Sequence, residues 1–288
     1  MKASGSRNLA VAAILLSAAV ISTSGLVIRN LEDASHWQVV FWRGLSLGVV
    51  LVLLMLIQHG RAIFAEFRNI GISGVIGGVF NAGALVGYVL AISNTTVANA
   101  VFTMSAVPFF TALFAWVILR ERVDAKTMLA IAVAATGIAL MVGDGIATGT
   151  LFGNVMALFA AVSIAGYVVT LRMGRSVNML PTAVIGALLS LLLAGWMADG
   201  KIQISNHDIY LCLLLGVVIL GLGTWLFLFA SRQLAGAELT LLNMAEFILG
   251  PLWVWIFVNE IPSEMTLIGG AIVLIAVAGH ALISLRNR

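Results

Sequence analysis

Residues 95–119 read TTVANAVFTMSAVPFFTALFAWVIL and contain no charged side chain. A helix needs about 20 apolar residues to cross the hydrocarbon core of a bilayer, so this segment is long enough to span a membrane. It ends abruptly at the charged triplet Arg120-Glu121-Arg122. The segment is therefore predicted to be a transmembrane helix whose end lies at a membrane surface.

The same pattern of apolar runs and polar boundaries continues along the whole chain. The 288 residues are 61% hydrophobic and 9% charged, whereas a typical soluble domain has about 25% charged residues. Apolar runs without a two-residue alternation favour helices over a membrane barrel. The sequence predicts an all-α membrane protein with ten transmembrane helices, called spans 1 to 10, at residues 8–28, 37–57, 69–91, 95–119, 125–142, 150–172, 181–198, 207–231, 236–258 and 265–285.

The basic residues are distributed unevenly between the two sides that these spans define. With the N-terminus placed inside, 12 of the 15 Lys and Arg residues lie inside, Arg29 and Lys201 lie outside, and Arg43 lies within span 2. Cytoplasmic loops of membrane proteins carry an excess of Lys and Arg. Both termini are therefore predicted to be cytoplasmic, and the scattered basic residues set orientation rather than bind nucleic acid.

The chain also divides into two predicted five-helix halves, residues 1–146 and 147–288. A shift of 146 residues places Ser17 on Ser163, and a shift of 139 residues aligns span 4 with span 9. Because each half has an odd number of spans, the two halves are predicted to insert in opposite orientations. Inverted repeats are typical of alternating-access transporters, whose binding sites lie near the membrane midplane.

Glu246, Arg43 and His280 are ionisable residues within spans, where an uncompensated charge costs about 2.5–3.5 kcal/mol on insertion scales. Glu246, one turn after Asn243 in span 9, is predicted to bind substrate or a proton, or else to form a structural hydrogen bond. Arg43 in span 2 either reaches outward to the membrane surface or binds a substrate carboxylate. His280 in span 10 either forms a structural hydrogen bond or takes part in proton transfer.

Prolines are predicted to interrupt spans 4 and 9. Pro108 leaves the carbonyl of Met104 without its helical donor, and Pro251 does the same for the carbonyl of Phe247. Met104 aligns with Asn243 in the repeat, and paired interruptions in corresponding helices indicate a binding region. The alternative is that both prolines only kink their helices for packing.

Other polar and aromatic side chains at mid-span positions are candidate substrate contacts, with helix packing or local backbone bonding as the alternative. They are Ser17, Asn81, Tyr88, Asn99, Thr103, Ser163, Tyr167 and Trp225. No hydrolase motif or P-loop occurs, and the single cysteine, Cys212, excludes a cysteine metal site. The sequence predicts no catalytic residues, no metal, no cofactor and no bound nucleotide.

Residues 94–137 resemble the drug/metabolite transporter superfamily, in its bacterial EamA-type branch. The resemblance is carried by AVPFFTAL at residues 106–113, by LRER at residues 119–122, where Arg120 replaces the usual glycine, and by residues 137–139. It implies a secondary transporter of the bacterial inner membrane, often an exporter of amino acids or related metabolites. It also implies a central cavity lined by spans 1, 3, 4, 6, 8 and 9.

Three functional hypotheses remain open, and all three include the lipid bilayer as a partner. The first is export of amino acids, hydrophobic or aromatic ones in particular, whose side chain would contact the mid-span aromatic residues. Glu246, Asn243 and Asn81 would then bind the polar end. The second is export of cationic drugs, with Glu246 pairing the cation. The third is a channel or a non-transporting membrane partner.

Overall fold

The computed structural model describes residues 2–121, 124–174, 177–231, 233–234 and 236–286. Within these ranges all regular structure is helical, with a 3₁₀ turn at Gly60–Ala62 and a π-helical stretch at Leu214–Leu222. The α-helices are α1 (Lys2–Ser22), α2 (Ser24–Arg29), α3 (His36–His59), α4 (Ile63–Asn69), α5 (Gly71–Asn94), α6 (Val97–Met104), α7 (Val107–Leu119), α8 (Ala125–Thr148), α9 (Leu151–Met173), α10 (Leu180–Met197), α11 (Asn206–Leu213), α12 (Gly223–Ser231), α13 (Gly236–Asn243), α14 (Ala245–Val258) and α15 (Glu264–Arg286).

Ten helical segments of the described chain are long and apolar enough to cross a membrane, which confirms the predicted all-α class and the number of spans. Large apolar side chains such as Ile57, 82% exposed, and Ile72, 80% exposed, lie on the outer surface of the bundle. An apolar surface of this kind suits contact with lipid rather than water. The segments are Arg7–Arg29, His36–His59, Gly71–Asn94, Val97–Leu119, Ala125–Ala147, Leu151–Met173, Leu180–Met197, Asn206–Phe227, Leu241–Val258 and Glu264–Ile283.

The predicted end of span 5 is too early. The sequence predicts an end at residue 142, before Gly143 and Asp144, but α8 continues to Thr148 and is followed by Gly149 at φ 77°. The side chain of Asn154 packs so closely against Gly145 that no Cβ would fit there. Gly145 therefore serves close helix packing rather than a chain reversal. The predicted boundary between the halves, at residue 146, falls inside α8.

Spans 4 and 9 are discontinuous at equivalent positions. In span 4, α6 ends at Met104 and α7 begins at Val107, whereas in span 9, α13 ends at Asn243 and α14 begins two residues later. Met104 and Asn243 are the residues that the shift of 139 aligns. Pro108 lies in the first turn of α7, as expected for a helix start. The break in span 9 does not lie at Pro251, which is inside α14.

Two serine contacts support the predicted two-half organisation. Ser17 Oγ on α1 donates to the carbonyl oxygen of Gly223 on α12 at 2.7 Å. Ser163 Oγ on α9 faces Gly83 on α5, where a Cβ would lie 2.8 Å from the hydroxyl oxygen. Ser17 aligns with Ser163 in the repeat, and Gly83 precedes Gly223 by a similar shift of 140 residues. The aligned serines therefore contact aligned glycines of another span.

Two ion pairs at the ends of the bundle each involve a glutamate, and the two glutamates are aligned by the repeat. Arg29 Nε lies 2.7 Å from Glu260 Oε2, and Arg172 Nη2 lies 2.6 Å from Glu121 Oε1. Glu121 and Glu260 are aligned by the shift of 139. In the predicted orientation the first pair is extracellular and the second is cytoplasmic. Ion pairs of aligned glutamates on opposite sides are expected of inverted halves, and the two-half organisation is retained as a proposal on these contacts.

Candidate substrate-binding cavity

A cavity of about 600 Å³ lies within the helix bundle. Its walls come from spans 2, 3, 6, 7 and 8, so both predicted halves contribute. Spans 3, 6 and 8 agree with the lining that the family resemblance implies, but spans 2 and 7 line this cavity in place of spans 1, 4 and 9. Representative lining residues are Leu47, Gln58, Asn81, Tyr167, Ala183 and Trp225.

The cavity extends from the middle of the bundle to one end. On α3 it is lined from Leu47 to Gln58, the residue before the helix ends at His59. On α5 it is lined by Asn81 and Leu85, which lie in the central part of that helix. The positive-inside orientation places the His59 end of α3 in the cytoplasm. In that orientation the cavity extends to the cytoplasmic side.

A π-helical stretch shapes one wall of the cavity. Leu220 and Gly221 lie within Leu214–Leu222 and line the cavity, as does Trp225 just after it. π-Helical turns are rare and frequently occur at functional sites. This stretch was not predicted from the sequence, although glycines at positions 216, 221 and 223 of an apolar run could have indicated an irregular helix.

Three of the predicted substrate contacts line the cavity. Asn81 Nδ2 donates to the carbonyl oxygen of Ala183 at 3.4 Å, which leaves the amide oxygen of Asn81 available. The Trp225 ring stacks on Phe229 with a centroid distance of 6.2 Å. Tyr167 contributes the wall on α9. These side chains supply a mostly aromatic surface with one amide, which suits an apolar group better than a phosphate.

Arg43 and Tyr88 lie one helical turn beyond the inner end of the cavity. Arg43 precedes Leu47 by four residues and Tyr88 follows Leu85 by three, so each shares the helix face of a lining residue. The Arg43 Cζ atom is 4.9 Å from the centroid of the Tyr88 ring. Arg43 is only 6% exposed. The expectation that Arg43 reaches outward to the membrane surface is therefore wrong, because its side chain packs inside the bundle against Tyr88.

Glu246 lies in the first turn of α14, directly after the break in span 9. Asn243 Nδ2 donates to Glu246 Oε2 at 3.3 Å, while the Asn243 Oδ1 atom is buried without a partner in the described structure. Tyr88 lies close enough to Arg43 and Glu246 for electrostatic interaction, and its side chain lies near Ser24. Polar side chains of spans 1, 2 and 9 thus lie around the tyrosine of span 3.

Asn99 belongs to a buried polar network rather than to the cavity. Its Nδ2 atom donates to Asn154 Oδ1 at 2.7 Å, and Thr95 Oγ1 donates to the same oxygen at 2.9 Å. Asn154 Nδ2 in turn donates to the carbonyl oxygen of Met141 at 3.0 Å. The network connects spans 4, 5 and 6, which favours a structural role for Asn99. The shift of 146 residues aligns Asn154 with Asn8, which does not indicate this role.

The remaining candidates also lie away from the cavity lining. Thr103 is fully buried, and its hydroxyl has no partner within the described residues. His280 Nε2 lies 2.8 Å from Thr127 Oγ1, and its ring is edge-on to Phe109. This contact joins spans 5 and 10 and supports the structural alternative for His280. Hydrogen bonds from the Thr127 side chain and backbone lower the pKa of Asp124, which caps the start of α8.

The extracellular end of the bundle, in the predicted orientation, is closed by hydrogen bonds between loops. The buried carboxylate of Asp208 accepts from the backbone amides of residues 32, 33 and 34, at 2.8–3.0 Å. Gln38 Nε2 donates to the carbonyl oxygen of Lys201, and Trp42 Nε1 donates to that of Ile202. These bonds connect spans 1, 2, 7 and 8 on the side opposite the cavity opening.

Comparison with known proteins agrees with this architecture. Residues 8–143 match the profile described as the EamA-like transporter family. The chain is 26% identical to the pseudopaline exporter CntI of Pseudomonas aeruginosa over 83% of its own length and 84% of the exporter. It is 23% identical to solute carrier family 35 member G1 of Homo sapiens, over 91% of the chain and 75% of the carrier. A crystal structure of a protein 20% identical to this chain superposes with a TM-score of 0.63 over 99% of both chains, which supports the fold alone.

Proposed function

Because residues 8–143 match the EamA-like transporter family, we propose that the protein belongs to this family and exports amino acids or related small metabolites across a bacterial inner membrane. The observation that carries this proposal is the cavity of about 600 Å³, whose walls come from both predicted halves. Ligand-binding cavities for small molecules have volumes of about 300–1,000 Å³. The direction of transport is supported by the pseudopaline exporter, which the chain resembles over most of its length.

The character of the cavity favours a substrate with an apolar side chain and a polar end. Tyr167, Trp225 and several leucines provide the apolar contact, and Asn81 provides an amide. Outside the cavity lining, Glu246 and the Asn243 Oδ1 atom, which has no partner among the described residues, offer hydrogen-bond acceptors for an amino group. Amino acids with hydrophobic or aromatic side chains meet both requirements. Export proceeds by alternating access, in which the outer closure and the cavity opening exchange sides.

The proposal is tested by counterflow in proteoliposomes. Vesicles loaded with an unlabelled amino acid are diluted into the same labelled amino acid, and its accumulation is measured with and without a pH gradient. We expect saturable accumulation of hydrophobic and aromatic amino acids. Competition by quaternary amines but not by amino acids would indicate the cationic-drug hypothesis, and non-saturable flux would indicate a channel. A broad panel of amino acids without any counterflow would contradict the proposal.

A pair of tryptophan substitutions tests whether this cavity is the transport site. Thr224→Trp places a large ring in the cavity, because Thr224 lines it. Leu113→Trp places the same ring on the exposed lipid-facing side of α7. We expect counterflow to fall more than tenfold in the first variant and to change less than twofold in the second. Equal activity of the two variants would place the substrate pathway elsewhere in the bundle.

A further inference from the structure

Arg43 is a buried cation without an anionic partner in the described part of the chain. Its Nε and Nη1 atoms are buried and make no hydrogen bond. None of the ion pairs between described residues involves Arg43. The ionisable groups that interact with it are the Tyr88 phenol and the Cys212 thiol, both uncharged at neutral pH in their ordinary state. A desolvated guanidinium with free donors is costly, and an anion that reaches it would be bound strongly.

The position of Arg43 connects this unpaired charge to the cavity. Arg43 lies four residues before Leu47 on α3, which is about 6 Å along the helix axis. The Tyr88 ring, which follows the lining residue Leu85, covers one face of the guanidinium. Stacking on an aromatic ring holds a guanidinium in one plane and leaves its edge available for hydrogen bonds. A carboxylate that enters one helical turn beyond Leu47 and Leu85 comes to the level of Arg43.

A complementary group lies near the same tyrosine. Glu246 interacts electrostatically with Tyr88 and is bonded only to Asn243, whose Oδ1 atom has no donor in the described structure. The two unsatisfied groups therefore have opposite chemistry. Arg43 lacks an acceptor, whereas the Asn243 Oδ1 atom lacks a donor and the neighbouring Glu246 carboxylate can accept from an ammonium group. A molecule with one carboxylate and one ammonium group satisfies both.

We propose that Arg43 binds the carboxylate of the transported molecule and that Glu246 and Asn243 bind its amine. This inference rests on the proposed function and narrows the substrate to a zwitterion, with its apolar part in the cavity. It argues against purely cationic substrates, because a cation would bring no partner to Arg43. It also explains the presence, within a membrane helix, of an arginine that has no counter-ion among the described residues.

The test compares three probes that differ only at the carboxylate. L-phenylalanine carries the acid, L-phenylalaninamide replaces it with an amide, and phenethylamine lacks it. Binding to the full-length protein in detergent is measured by thermal stabilisation, and counterflow is measured separately. In the unmodified protein we expect the acid to bind at least tenfold more tightly than the amide or the amine. Arg43→Gln is expected to abolish this preference, and Arg43→Lys to restore part of it. Arg68→Gln, which removes an exposed arginine on α4, is expected to leave it unchanged.

The outcomes separate this inference from the proposed function. Equal binding of acid and amide by the unmodified protein would overturn the carboxylate site without any variant, even if Arg43→Gln does not fold. A preference for the acid that survives in Arg43→Gln would overturn it as well. An acid preference that depends on Arg43, without counterflow of any probe, would support the site and contradict amino-acid export. Equal counterflow of the acid, the amide and the amine would support export of amines and contradict the site.

Discussion

Asn154 and Asn243 both lie inside the bundle, but their side chains are satisfied to different extents. Asn154 uses both ends of its amide, accepting from Asn99 and donating to the carbonyl of Met141. Asn243 donates to Glu246, whereas its Oδ1 atom is buried and unpaired in the described structure. Complete bonding indicates a structural role, because a bound ligand would have to displace existing bonds. Incomplete bonding in a buried position requires an explanation, and a bound ligand is the explanation that we propose for Asn243.

Removal of the Asn154 amide should lower stability more than it lowers transport. Asn154→Ala leaves the hydroxyl of Thr95 and the amide of Asn99 without their common acceptor. We expect a loss of about 1–3 kcal/mol in the free energy of unfolding, measured by unfolding in a series of detergent mixtures. Asn8→Ala is the matched control, because Asn8 is the aligned residue and is exposed. Equal stability of the two variants would contradict the structural role.

Glu246 is the residue whose charge should matter most for amine binding. Glu246→Gln keeps the shape and the contact with Asn243 but removes the charge that pairs with an ammonium group. A hydrogen bond to a charged group contributes about 1.5–3 kcal/mol, so counterflow of amino acids should fall about tenfold to a hundredfold. Glu264→Gln, at the exposed start of α15, serves as the control. Full activity of Glu246→Gln in correctly folded protein would remove Glu246 from the site.

At the scale of the helices, the two ion pairs at opposite ends of the bundle differ in how exposed they are. The side chains of Arg29 and Glu260 are 24% and 15% exposed, whereas those of Arg172 and Glu121 are 46% and 48% exposed. Glu260 also accepts from the backbone amide of Val97 at the start of α6, and Arg29 donates to the carbonyl of Thr95. The Glu260 contacts therefore connect spans 1 and 4 with the loop after span 9. The Glu121 pair is a more exposed contact.

This difference predicts unequal effects of two equivalent substitutions. Glu260→Gln should cost about 1–3 kcal/mol of unfolding free energy, because a partly buried arginine and a backbone amide lose a charged acceptor. Glu121→Gln should cost less than about 1 kcal/mol, as is usual for exposed ion pairs. Both values are measured by the same unfolding assay at low and high salt, and only the Glu121 effect should vanish in high salt. A larger cost for Glu121→Gln would contradict this ranking.

The whole molecule has its cavity open toward one end and its loops bonded together at the other. Gln58 and Thr224 line the open part, while the Asp208 carboxylate holds the backbone of residues 32–34 at the closed part. Transport requires that this arrangement be reversed, so the bonds at the closed end must be broken and reformed in each cycle. An exporter needs the cytoplasmic opening to load its substrate.

The accessibility of single cysteines should show on which side of the membrane the cavity opens. In a Cys212→Ser background, Thr224→Cys should react with a membrane-impermeant maleimide in inside-out vesicles and remain protected in intact cells. Lys201→Cys, exposed in the extracellular loop of the predicted orientation, should show the opposite pattern. A transported amino acid should slow labelling at position 224, because both occupy the cavity. Labelling of position 224 only from intact cells would contradict the predicted orientation.

Much of the architecture followed from one-dimensional patterns, because the bilayer imposes strict rules on apolar length and on the location of basic residues. The ten spans were predicted in this way. The break at Met104 was predicted too, because Pro108 lacks an amide hydrogen. The break in span 9 was predicted at Pro251, but it lies beside Asn243. Pro251 does not interrupt α14, because a proline inside a membrane helix can be tolerated where neighbouring groups satisfy the backbone.

The sequence by itself determined the class of protein, the number of spans, and the short set of polar residues that needed an explanation. Only the tertiary structure decided which of those residues lack partners. The Nδ2 atom of Asn99 and the ring of His280 find partners on other helices, whereas the Nε and Nη1 atoms of Arg43 and the Oδ1 atoms of Asn99 and Asn243 have none in the described structure. Local sequence cannot distinguish these cases, because hydrogen-bond partners within a membrane bundle come from other spans, up to hundreds of residues away. The lining of the cavity by spans 2 and 7 was decided in the same way, by how the helices pack rather than by their composition.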